Sequence, residues 1–327
     1  FGEDASATDK ALSDMTFAEA DDIFSAFSKA HYAPDGRGKA FDAVFGEGGF
    51  FTKHAVAMEG LVGESGCGKT TASKMVMRAF SADAGIIKLN KPPRNSISSW
   101  VIDAIYDKID SYEKDDRISS IIITSSFRAV FSEGVDQDEL FGSRLSGLVA
   151  EKNYDRFVRA HEMFIEIENC RKPIIAALNG VTIGAGLELA LLCDIRIASE
   201  IAFFSLPEAK PALSIIPGLG GTIRLSKVIG AARAKEMLFS GKMIRGKTAL
   251  EWGLVNALAP AREVLNESIE FARKLAENND TAIQNMKKCI NYAMDHDVRK
   301  GIEYEVKSLA ERRRLKLVEI SSPNASD

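Results

Sequence analysis

From Ala84 onward the chain alternates short β-branched runs with amphipathic stretches, and this rhythm restricts the fold more than any other feature of the sequence. GIIKLN leads to a segment of helical periodicity from Ser98 to Tyr112. SSIIIT leads to a second, from Tyr154 to Asn169, and PIIAALNG follows. Short β-branched runs bounded by Gly, Pro, Asn, Ser or Thr read as strands, and strands separated by helix-length amphipathic segments define an α/β architecture. Downstream, Glu263 to Asn278, Asp280 to Asp295 and Asp297 to Leu317 read as three helices with little strand between them, which predicts a helical C-terminal subdomain. The expected organisation is an α/β core over 84–260 followed by a helical subdomain and tail over 261–327.

The preceding residues have a different texture. Residues 1–60 hold one stretch of helical spacing (Phe17, Ile23, Phe24, Phe27) and then a Gly- and Phe-rich segment without periodicity, so a partly helical or flexible extension is expected. A connector over 61–83 contains LVGESGCGKTT, in which Gly63, Gly68, Lys69 and Thr70 complete the G-x-x-x-x-G-K-[ST] pattern and resemble the P-loop of ABC transporter ATPases. Such glycines let backbone N–H groups wrap a phosphate chain, Lys69 would reach the terminal phosphates and Thr70 would hold magnesium. A working ATPase also needs a second strand ending in a magnesium-binding Asp, and no such context follows; the bland reading is a loop or a fusion remnant.

Bulk properties exclude several classes. The 327 residues carry 42 Lys and Arg against 46 Asp and Glu, a net charge of -4 with mixed signs, which is no footprint for nucleic acid. Cys67, Cys170, Cys193 and Cys289 form no C-x-x-C pair, which fits reduced thiols in a cytoplasmic protein. No apolar run is long enough to span a bilayer. The four histidines are scattered, no Ser sits in a G-x-S-x-G elbow and no H-x-x-x-H spacing suggests a metal.

The chemistry concentrates in PIIAALNGVTIGAGLELALLCD, where a buried strand ends near Asn179-Gly180 and the turn Gly184-Ala185-Gly186 leads into an apolar helix beginning near Leu187. A helix N-terminus exposes unpaired N–H groups and the positive end of the dipole, a place to stabilise developing negative charge. Glu188 stands in the first turn; read alone, it could be no more than a partner of that dipole.

Four stretches occur in the order seen in the enoyl-CoA hydratase (crotonase) family: GIIKLNKPPRNSIS, IIITSSFRAVFSEGVDQDEL, PIIAALNGVTIGAGLELALLCDIRIASEIAFFSLPEAKPALSIIPGLGGTIRL and GKMIRGKTALEWGLVNALAP. The chain closely resembles that family, which implies a crotonase-like spiral of ββα repeats. By the same resemblance the backbone N–H groups of Glu133 and Ala185 form an oxyanion hole for a thioester carbonyl. Glu133 stands where the family has a small residue, and Ala185 where it has Gly. Glu188 and Glu208 are implied as the acid/base pair, Glu188 orienting the water that adds at the β-carbon and Glu208 exchanging the proton at the α-carbon. Ser132, Gly134, Asp136 and Gly184 are implied to flank the substrate, with Asp136 supporting the oxyanion turn. Gly218, Gly220 and Gly221 fall in an inter-element turn. Arg94, Arg128 and Arg312 to Arg314 are candidates for the coenzyme A phosphates.

These parts imply an enoyl-CoA hydratase that needs no cofactor beyond the coenzyme A moiety of its substrate and assembles as a homotrimer or dimer of trimers. An enoyl-CoA isomerase, or another acyl-CoA lyase or hydrolase of the family, is the alternative on the same fold. A P-loop ATPase or ATP-regulated fusion is the alternative from another class, and a Glu133 side chain in the pocket would favour a non-catalytic binding protein.

Overall fold

The computed structural model describes residues 76–81, 84–136, 148–211 and 213–321. The N-terminal extension and the P-loop residues Gly63, Gly68, Lys69 and Thr70 lie outside them.

The elements, in order, are β1 (Val76–Ser81), β2 (Ala84–Leu89), α1 (Ser99–Glu113), β3 (Ser120–Ser125), β4 (Val130–Ser132), α2 (Leu148–Glu168), β5 (Ile174–Leu178), β6 (Val181–Ile183), α3 (Ala185–Leu192), β7 (Ile195–Ser199), β8 (Phe203–Ser205), α4 (Gly221–Ile229), α5 (Ala231–Ser240), β9 (Ile244–Arg245), α6 (Gly246–Trp252), β10 (Ala257–Ala259), α7 (Val264–Ala276), α8 (Asp280–Met294) and α9 (Val298–Ser321). A six-stranded sheet runs β1-β2-β3-β5-β7-β10, parallel except for the antiparallel β1–β2 pair, and a four-stranded sheet runs β4-β6-β8-β9. Each of β3, β5 and β7 in the large sheet is followed directly by a strand of the small one. The chain thus steps from sheet to sheet in a repeating spiral. The large sheet begins at Val76, inside the segment read from sequence as a connector.

Parallel strands covered on both faces read as continuous apolar runs. Every residue of β5 is buried, and successive side chains point to opposite sides. Ile121, Ile123, Ile174, Ala176 and Leu178 enter the core beneath α1, α2 and α3. Ile122, Ile175, Ala177 and Ile197 meet Val264 and Ala272 of α7 on the other face. Each fully buried isoleucine contributes about 1.5–3 kcal/mol, so this two-sided burial dominates the stability of the sheet. The α8 helix is tied to it by Lys287, whose Nζ donates to Asp194 Oδ2 (2.7 Å) and to the Lys172 carbonyl (3.1 Å). Among the described residues no helix is long and apolar enough to cross a membrane.

Candidate active site

The small sheet delivers the site. Its strand β6 ends at Ile183, Gly184 turns with φ +52°, and α3 begins at once, two residues earlier than the sequence suggested. All eight residues of α3 are buried, which accounts for the absence of a polar face. The N–H of Ala185, first in the helix, has no partner within it. Gly186 is required for packing, because a Cβ there would stand 2.5 Å from Ser132 Cβ. The end of β4 can therefore lie directly on the start of α3.

Beside Ala185 runs the turn 132–136, stitched to residues 94–97. Ser132 Oγ donates to the Asn95 carbonyl (2.7 Å), Ile97 N–H to the Gly134 carbonyl (2.7 Å) and Asp136 N–H to the Ile97 carbonyl (2.7 Å). Gly134 takes φ +111°, a conformation that L side chains rarely adopt. The Glu133 side chain is buried but turns away from the cavity to pair with Arg94 at 2.7 Å. Burial pushes its carboxyl up to about 7, against the opposing charge of Arg94. Arg94 is thereby committed inside the protein. Ser132 is fully buried and its hydroxyl also accepts from Gly134 N–H, so its side chain shapes the turn. Asp136 accepts from Lys91 Nζ and Ser96 Oγ while lining the cavity.

Glu188 is 2% exposed, and its Oε1 accepts from the main-chain N–H groups of Leu219 and Gly221, each at 2.8 Å. Burial raises its pKa to about 7, and the two amides and the charge of Arg224 oppose that rise. Arg224 braces the clamp by donating to the Leu219 carbonyl (3.0 Å) and pairing with Glu168 (2.8 Å). The segment 218–221, read from sequence as an inter-element turn, is thus also the holder of Glu188.

Glu208 follows β8 and is 7% exposed; its Oε2 is buried and accepts no hydrogen bond among the described residues. Burial first, then the charge of Glu188, raises its pKa to about 8. Gly184 separates the parts, since a Cβ on it would stand 3.1 Å from Glu208 Oε1 and 3.5 Å from Gly134 Cα. A cavity of about 620 Å³ opens onto Ala185, Glu188 and Glu208. Its other walls are Ile97 and Ile102 on one side, Phe157, Ala160 and His161 of α2 on another, and Ile215 to Leu219 on a third. Sequence reasoning did not single out this α2 wall. Two buried carboxyls of unequal proton affinity beside a helix N-terminus can move protons to and from a polarised carbonyl compound.

Residues 80–316 match the enoyl-CoA hydratase/isomerase family. A probable mitochondrial enoyl-CoA hydratase of Dictyostelium discoideum is 36% identical over 222 residues, covering 68% of this chain and 76% of that protein. A probable enoyl-CoA hydratase of Bacillus subtilis is 39% identical over 205 residues, covering 62% and 76%. Among solved structures, the enoyl-CoA hydratase from Bacillus anthracis superposes with a TM-score of 0.66 at 30% identity, covering 72% of this chain and 90% of that one.

Proposed function

The chain belongs to the enoyl-CoA hydratase/isomerase family, and from that premise we propose that it is an acyl-CoA hydro-lyase that adds water across the α,β double bond of an enoyl-CoA thioester. The observation that carries this reading is the pair Glu188 and Glu208, both buried on one cavity and separated in proton affinity by their surroundings. The amides on Oε1 favour the ionised form of Glu188. Glu208, with no donor on Oε2 among the described residues, keeps its proton more firmly. In the proposed reaction the thioester oxygen lies against the N–H groups of Ala185 and Glu133, Glu188 takes a proton from water, and the hydroxide so formed bonds to the β-carbon. The displaced π electrons form an enolate, and Glu208 gives its proton to the α-carbon. Exchange with solvent then restores both glutamates. No electrons leave or enter, so the chemistry calls for no redox group.

In this reading Ser132, Gly134, Asp136 and Gly184 shape the walls around the thioester. The exposed apolar side chains Met286, Ile290 and Met294 of α8 and Val298, Ile302 and Val306 of α9 support assembly as a homotrimer or a dimer of trimers. The described cysteines are free, which fits a reducing compartment such as the cytoplasm.

The test is hydration of crotonyl-CoA, followed by loss of the conjugated thioester's ultraviolet absorbance. Wild type should turn over, while Glu188→Gln and Glu208→Gln should each lose roughly two or more orders of magnitude in kcat, as removal of an acid/base group predicts. An intact wild type that leaves crotonyl-CoA unchanged but shifts the double bond of a 3-enoyl-CoA would replace hydration with isomerisation.

A further inference from the structure

The turn that presents the Glu133 amide is held by Arg94 in two ways. The Arg94 carbonyl accepts from Glu133 N–H at 3.2 Å, and the Arg94 guanidinium pairs with the Glu133 carboxylate at 2.7 Å. Both side chains are largely buried, and neither lines the cavity, although Asp136 of the same turn and Ile97 and Ser98 of the facing segment do. The neighbouring contacts of Ser132 with Asn95, and of Gly134 and Asp136 with Ile97, tie the residues on either side of Glu133 to the same facing segment.

Resting on the hydratase reading, we propose that Arg94 is a positioning residue for the oxyanion hole: its carbonyl holds the Glu133 amide until a thioester oxygen takes that amide over, and its guanidinium keeps the Glu133 carboxylate out of the cavity. The physical need is plain. A carboxylate on the same residue as the amide that must stabilise an enolate would oppose the developing charge if it swung inward, and the low-dielectric site would magnify the opposition. A guanidinium suits the task because it stays charged and presents a planar fork. Handing the amide from one carbonyl to another exchanges hydrogen bonds of similar strength, so this contact is a modest barrier to substrate binding.

Two measurements separate positioning from mere support: kinetics with crotonyl-CoA, and the infrared carbonyl stretch of bound butyryl-CoA, a saturated thioester that cannot be hydrated. Arg94→Met should lower kcat by about 10²-fold, the scale of a small misplacement of a reacting group, with KM changed far less, and should diminish the downward shift of the carbonyl stretch. Arg94→Lys, which keeps the charge, should recover part of both. The decisive variant is Arg94→Met combined with Glu133→Ala: removing the released carboxylate should restore activity and carbonyl shift above those of Arg94→Met alone.

The proposal is overturned if Arg94→Met leaves kcat and carbonyl shift at wild-type values. It is equally overturned if the double variant is no better than the single while thermal unfolding shows both folded. If wild type binds butyryl-CoA with a shifted carbonyl yet hydrates nothing, the hydratase reading fails, and the carbonyl shift of the variants still decides the role of Arg94. If wild type does not bind butyryl-CoA, both fall together.

Discussion

At the scale of single residues, the site is a problem of proton affinity solved by unequal solvation. Glu188 and Glu208 share a cavity, but one has two amide donors on its Oε1 and the other has an oxygen with none among the described residues. If water attack needs Glu188 ionised and protonation of the α-carbon needs Glu208 neutral, kcat/KM against pH should be a narrow bell. Its limbs lie near about 7 and about 8 and belong to the pair as macroscopic values. In Glu188→Gln the residual activity should lose the acidic limb, which a pH series on that variant would show.

The same burial has a cost in stability whose sign follows from proton counting. The folded pKa of Glu208 lies above its ordinary 4.5, so as pH rises past that value the unfolded chain releases a proton that the native state retains. Its contribution is fully present below the unfolded value, shrinks as pH climbs toward about 8, and levels off beyond. Glu208→Gln, inactive, should therefore be more stable than wild type by about 1–3 kcal/mol at about pH 9 and little different at about pH 5. Thermal or urea unfolding at the two pH values measures this.

At the scale of elements, the feature that positions the chemistry is the contact between the end of β4 and the start of α3. Gly186→Ala would drive a methyl group to within 2.5 Å of Ser132 Cβ and 2.9 Å of the Ser132 carbonyl oxygen, so β4 or α3 must move. We expect a loss of about 1–3 kcal/mol from overpacking and a fall in kcat of about 10²-fold as the Glu133 and Ala185 amides separate, read by unfolding and steady-state kinetics on one preparation. Helices were the most legible elements. The apolar spacing from Ser98, and the three C-terminal segments from Glu263, mark α1, α7, α8 and α9 to within a few residues, because a helix carries its own period. Contacts across the sequence were not legible. The clamp on Glu188 comes from amides 31 and 33 residues away, and main-chain donors leave no side-chain signature. Arg94 reads from sequence as one of several candidates for the coenzyme A phosphates, and its pairing with Glu133 depends on the 94–97 segment lying against the turn after β4, a tertiary fact.

For the molecule as a whole, the α/β class was legible because a covered parallel sheet demands continuous apolar strands, and PIIAALNG and SSIIIT supply them. The second, smaller sheet was harder to see, since its strands are two or three residues long and carry too little pattern to register. Assembly belongs to this scale too. The apolar side chains left exposed on α8 and α9 are the surface on which the proposed assembly would rest. If the chain assembles as proposed, wild type should scatter light as a trimer or hexamer and Ile302→Glu should shift that mass toward monomer. Because Ile302 is 58% exposed and takes no part in the described core, the folded state of each chain should survive the change.

The cavity draws its floor and its far wall from separate parts of the chain. Ala185, Glu188 and Glu208 rise from the junctions of the spiral, whereas Phe157, Ala160 and His161 come from one face of α2 and touch none of those junctions through hydrogen bonds among the described residues. Edits to that helix face, such as Phe157→Ala to widen it or His161→Glu to recharge it, should therefore change which acyl groups fit, and His161 is the cleaner position because Phe157 stands close to Gly218 in the segment that holds Glu188.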